Sequence, residues 1–236
     1  MTPKCHVWSF PMNVAVLAPS STVTQDVYQR LRADLLACRL PPGQKLKIDD
    51  LCQRLSAGSS AVREALSRLA SEGFVVVEPQ RGFRVAPLSF DELRDLTNTR
   101  CKVEEICLRE AVANASLEWE GDLISALHRL CNTPMRADGD AKRYSDKFAL
   151  IHTAFHEALV AACPSPWLLR IRQTLYVQQE RYRWLSLPLA RFERDLNAEH
   201  RAIANAALAR NADAAVTLLI EHLQTTAQIL LSSPTR

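Results

Sequence analysis

The stretch Ala61–Ser89, AVREALSRLASEGFVVVEPQRGFRVAPLS, decides the reading of the fold. Val62, Ala65, Leu66 and Leu69 stand three and four residues apart, the spacing of one buried helix face. Gly73 is a helix stop, and Phe74 closes the apolar face beyond it. Two β-prone runs, FVVV and FRVA, then flank a Pro-to-Gly turn and predict a hairpin. Toward the N-terminus, SAGSS predicts a turn, Ile48 to Leu55 a short helix, and PPG at Pro41 to Gly43 the end of an earlier helix. That first helix is expected from Val23 to about Leu40, carried by Val27, Leu31, Leu35 and Leu36. Three helices and a hairpin within residues 21–88 predict a winged helix-turn-helix domain.

After Ser89 the pattern changes. Up to residue 232 the chain has almost no strand signal and repeats apolar residues at helical spacing, so an all-helical bundle is expected there. Breaks are expected near Gly121, at NTPMRADGD, at CPSP, around Pro188 and at RNAD, which gives about six or seven helices. LSFDEL is the expected joint, with Ser89 or Asp91 as the next N-cap. The fold class read from the sequence is therefore mainly α, in two domains covering residues 21–88 and 89–232.

At 236 residues and 47% hydrophobic, the chain can build real cores. Twenty-nine Lys and Arg against twenty-six Asp and Glu give a net charge of +3, with the basic excess lying before Asp91. Seven cysteines without a CxxC pair argue against a disulfide framework and against a thiolate zinc site, and point to a reduced cytoplasmic location. Residues 1–20 carry an apolar run broken by Pro11 and Asn13 and are read as a disordered arm rather than a signal peptide. No stretch resembles the roughly 20 apolar residues of a membrane span.

In the helix within the opening stretch, the face opposite Val62 and Leu66 carries Ser60, Arg63 and Ser67. One face anchored and the other cationic is what a helix entering the DNA major groove needs. Arg63 is the candidate for bidentate contact with guanine or for clamping a phosphate. Ser59 and Ser60 can bond phosphates by hydroxyl or by backbone N–H. At the hairpin tip, Arg81 stands beside Gly82, which permits close backbone approach. The competing reading is a helical hairpin with a solvated arginine face.

Four of the six histidines can be grouped by spacing. His152 and His156 share a helix face at i and i+4. His200 and His222 lie eleven residues on either side of Asn211, so they come level if RNAD turns between antiparallel helices. Such a set suits zinc, nickel, copper or iron. The alternative is that His152 and His156 merely border the apolar stripe of Ile151, Phe155, Ala158 and Leu159.

The segments LPPGQKL, AVREALSRLASEGFV and PQRGFRVAPLS, in this order, resemble the GntR family of bacterial transcription regulators, in particular its FadR-like branch with a helical ligand-binding domain. The resemblance continues through LTNTRCKVEEICLREAVA and EHRAIANAALARNADAAVTLLIEHL. It implies a homodimer that binds double-stranded operator DNA and responds to a small carboxylate effector. Family members usually carry arginine where Ser59 stands and proline at Ala61, so operator preference is not transferred. The branch often holds a divalent metal on one aspartate and three histidines. The matching residues here are His152, His156, His200 and His222, with His152 in place of the aspartate. The loss of that carboxylate favours zinc or nickel over manganese. Arg100 matches an arginine implied to grip the effector carboxylate, with Tyr176 and Arg183 as further candidates for the pocket. A salt bridge to Glu104 is the alternative for Arg100, worth about 0.2–0.5 kcal/mol on an exposed face. The rival function is a metal-dependent hydrolase or isomerase built on the histidines. It lacks a general base, because Glu157 points off the ligand face and HEXXH is absent.

Overall fold

The structure, a computed structural model, describes residues 22–186 and 194–232, with the side chains of 141–143 excepted. The expected arm and the break around Pro188 lie outside these residues. Thr22 opens α1 (Val23–Leu36), its hydroxyl accepting the Gln25 amide. The helix ends at Leu36 rather than near Leu40. The Arg39 and Leu40 amides both turn back to the Asp34 carbonyl, and buried Leu40 returns to the core that Leu31 and Leu35 occupy. There follow β1 (Lys45–Leu46), α2 (Ile48–Leu55), α3 (Ser59–Ser71), β2 (Val75–Glu78) and β3 (Gly82–Val85).

The hairpin of β2 and β3 is joined on its far side by β1, giving an antiparallel sheet of order β1-β3-β2. The two residues of β1 are too few to show alternation, which is why the sequence predicts only the hairpin. Val62, Leu66, Leu69 and Phe74 meet Val27, Leu31 and Val85 in one core. That core fixes which face of α3 is left outside.

Ser89 caps α4 (Phe90–Ala113) by accepting the Glu92 amide, as expected. The next break falls at Asn114 to Ser116, where Ser116 caps α5 (Leu117–Cys131). Gly121 sits inside α5, because one exposed glycine costs a helix only about 1 kcal/mol and does not end it. NTPMRADGD forms a strand pair, β4 (Arg136–Ala137) and β5 (Asp140–Tyr144), turning at Gly139 with φ +76°. The second domain is therefore helical with a small hairpin, a correction to the all-helical expectation. Then come α6 (Asp146–Val160), α7 (Pro166–Ser186), α8 (Leu196–Leu208) and α9 (Ala212–Leu231).

Among the described residues this gives six helices after Ser89, with α4 lying against α7 and α9, α8 against α9, and α5 against α6 and α8. Helix α9 spans 20 residues and is apolar enough to cross a membrane, contrary to the sequence reading, but its apolar face packs into the bundle through Val216, Leu219 and Leu223. Helix α7 also touches the N-terminal domain. Its Gln178 amide donates to the Glu72 carbonyl at 2.5 Å, and Arg181 donates to the Ala86 carbonyl at 2.6 Å.

Candidate metal centre and nucleic-acid interface

Helix α6 brings His152 and His156 to one buried face, α8 adds His200, and α9 adds His222. The turn expected at RNAD is present. Arg210 takes φ +58°, and Asn211 caps α9, so His200 and His222 come level with ring centroids 4.7 Å apart. One ligand atom from each of the four histidines lies within 4.8 Å of all the others. The Nε2 atoms of His152 and His156 are 3.3 Å apart. Two nitrogens bound tetrahedrally at about 2.0–2.1 Å from zinc would be separated by about 3.3–3.4 Å.

Hydrogen bonds assign the tautomers of two of the rings. Thr153 spends its hydroxyl hydrogen on the Ala149 carbonyl and so accepts from the Tyr176 hydroxyl at 3.2 Å. The Tyr176 oxygen, 3.2 Å from His152 Nδ1, must then accept from it, which leaves the His152 Nε2 lone pair toward the cluster. His222 Nδ1 donates to Glu199 Oε2 at 2.8 Å, which likewise frees its Nε2. His156 Nδ1 has no partner, and His200 faces the Leu196 carbonyl without completing a hydrogen bond at either ring nitrogen. Burial pushes all four imidazoles below their ordinary range and keeps them neutral, the form that donates to a metal. Buried and neutral, with His156 Nδ1 and both His200 nitrogens unpartnered, the four rings fit a divalent cation.

Arg100 lies 4% exposed, not on the open helix face that its weak salt bridge would require. Its Nε and Nη2 donate to Glu104 Oε1 at 3.1 Å each, and its Nη1 donates to Gln179 at 2.9 Å. Glu104 takes a second guanidinium, from Arg172 at 2.8 Å, and Arg172 also donates to the His156 carbonyl at 2.7 Å. Arg183 is held by Glu180 at 2.8 and 2.6 Å. Arg100 and Arg183 line a cavity of about 20 Å³ together with His152, His156 and His222, room for one water or ion. Tyr176 does not line this cavity. It backs His152 and borders a larger cleft, of about 320 Å³, between α1, α6 and α7.

On the N-terminal domain, Ser59, Ser60, Arg63 and Ser67 of α3 and Arg81 and Gly82 of the hairpin are all exposed. Gly82 adopts φ +92°, which a side chain would strain. Arg30, Arg32, Arg39, Arg54, Arg68 and Arg84 are tied to neighbouring groups. Among the described residues of this domain, the arginines whose guanidinium makes no hydrogen bond or ion pair are Arg63 and Arg81. The first turn of α3 follows Gly58 with no side-chain cap, so its amides remain open to an anion.

Residues 23–85 match the family described as bacterial regulatory proteins, gntR family, and residues 95–225 match the FCD domain. The chain belongs to the GntR family. It is 38% identical over 214 residues to the HTH-type transcriptional regulator BphR of Paraburkholderia xenovorans, covering 91% of this chain and 87% of that one. It is 35% identical over 214 residues to the HTH-type transcriptional repressor GlaR of Escherichia coli, covering 89% and 96%. The solved structure of E. coli McbR/YncC shares the fold, with TM-score 0.71 at 22% identity over 90% of this chain and 98% of that chain. As a GntR-type protein it is a transcription regulator and not an enzyme. The hydrolase or isomerase reading is set aside, and Glu157 is indeed exposed, off the ligand face.

Of the outer ring of Glu104, Arg172, Gln179 and Glu199, the sequence names only Glu104, as the alternative partner of Arg100, and that pair is present. Glu199 had a signal as the neighbour of His200. The neutral histidines also make stability depend on pH. Below their ordinary value near pH 6.5 the unfolded chain takes up protons that the folded, metal-free chain refuses. Stability is thus full above about pH 6.5 and falls as pH drops, by about 1.4 kcal/mol per pH unit for each histidine held neutral. Melting of metal-free protein at stepped pH should show this decline, and His156→Gln should flatten it. Identical slopes in the two proteins would refute the burial effect.

Proposed function

We propose that the chain is a homodimeric cytoplasmic repressor. It reads operator DNA with α3 and the wing, and its helical domain senses a small carboxylate through a divalent metal on His152, His156, His200 and His222. The observation that carries the sensor half is the convergence of four neutral imidazoles within 4.8 Å inside the bundle. An all-nitrogen set suits zinc or nickel better than manganese. Bound there, the metal supplies a positive charge able to attract an anion. Arg100 and Arg183 line the same cavity, and a carboxylate reaching them would compete with Glu104 and Glu180 for their guanidinium hydrogens. A named repressor among the relatives supports repression, and one head reads too few base pairs to be specific alone, which supports a dimer on paired half-sites.

The DNA half rests on the exposed guanidiniums of Arg63 and Arg81, which make no hydrogen bond or ion pair while those of the neighbouring arginines do. Arg63→Ala is expected to weaken operator binding by about 1–3 kcal/mol, with circular dichroism unchanged. Fluorescence anisotropy on the gene's own upstream DNA measures it. Unaltered affinity in a folded variant would remove α3 from the interface. Light scattering with footprinting tests the dimer, and a monomer protecting a single half-site would contradict it.

A further inference from the structure

We propose that Glu199 is the anionic outer partner of the metal site, setting its affinity through His222 in place of the carboxylate that the four-histidine set lacks. The proposal rests on the metal reading and adds a residue to it. Four neutral imidazoles bring no charge to a divalent cation, and two guanidiniums, of Arg100 and Arg183, face the same cavity against one carboxylate, of Glu180. Burial in a bundle makes that imbalance costly.

Each nearby carboxylate is paired with arginine, Glu199 with Arg194 included, so what sets Glu199 apart is its contact with a ring of the cluster. Glu104 is shared by Arg100 and Arg172, and Glu180 pairs with Arg183. Among the described carboxylates, Glu199 alone is bonded directly to a ring of the cluster, at 2.8 Å. The other rings have weaker support: a neutral Tyr176 hydroxyl behind His152, and no completed hydrogen bond at His156 Nδ1 or at either nitrogen of His200.

Arg194 makes the arrangement rigid. Its Nε and Nη2 hold the two Glu199 oxygens at 2.6 Å each, its Nη1 donates to Thr226 at 2.8 Å, and its Nη2 donates to the His222 carbonyl at 2.9 Å. Those hydrogens are spent on oxygens, so the hydrogen between Glu199 and His222 belongs to His222 Nδ1. A carboxylate accepting that hydrogen makes the ring a stronger donor at Nε2 and fixes its orientation. Glu199 is also the residue next to His200 on α8, so one carboxylate links two ligands on two helices.

The test is zinc affinity against a competing chromophoric chelator, measured on metal-free wild type, Glu199→Gln and Glu199→Ala, with the metal-free melting temperature of each. Glutamine keeps the size and an acceptor but removes the charge. Zinc binding should weaken about 10-fold in Glu199→Gln and about 10- to 100-fold in Glu199→Ala. A Glu199 that only braces Arg194 would lower the metal-free melting temperature and leave zinc affinity within about two-fold of wild type, which overturns the proposal. Should the alanine variant not fold, the near-isosteric glutamine variant carries the test. A wild type that takes up no zinc overturns the metal reading and this proposal together, and the wild-type titration identifies that outcome directly.

Discussion

Replacing Glu104 with alanine is expected to destabilise the protein by about 3–5 kcal/mol, the cost of leaving buried charges unpaired. Glu104 is fully buried and serves two guanidiniums, Arg100 through one carboxylate oxygen and Arg172 through the other. Both cations lie beside the histidine cluster, and Arg172 also holds the carbonyl of His156. Removing the carboxylate therefore leaves two buried positive charges and loosens the helix that carries two ligands. Glu104→Gln retains an acceptor and should lose less. Urea denaturation of the three proteins measures the difference, and a loss under about 1 kcal/mol in the alanine variant would mean that water reaches these groups freely.

Removal of the metal should have an effect of similar size. A cation that binds only the folded chain adds about 2.7 kcal/mol when free metal exceeds its dissociation constant a hundred-fold. In a chain of this length that corresponds to about 5–10 °C in melting temperature. Chelator should lower the wild-type transition by that amount, and added zinc should restore it. His156→Ala should respond little to either, because the remaining three rings hold the ion more weakly. Equal melting of wild type with and without chelator would mean that the cluster holds no ion under those conditions.

The DNA-reading domain was largely legible because its signals are local. Apolar spacing from Val62 to Leu69 predicted both α3 and its free face, and the bounds of α2 were read as they stand. The histidine group was legible because helical spacing and a symmetric turn are also local. What failed depends on partners distant in sequence. An arginine and a glutamate four apart look the same on an exposed face and in a core, so their spacing gave no hint of burial, which for Arg100 only the family resemblance implied. The deciding partner, Arg172, lies 68 residues beyond Glu104. The β4–β5 hairpin was missed because its strands are short and polar, and the end of α1 because it is set by Leu40 folding back into the core.

The most direct measurement is the metal content of protein purified without a histidine tag and then loaded with zinc or nickel and desalted. Elemental analysis should find about one ion per chain in the wild type, and far less in a variant lacking both His156 and His200. A wild type that retains no more metal than that variant would contradict a metal centre on His152, His156, His200 and His222.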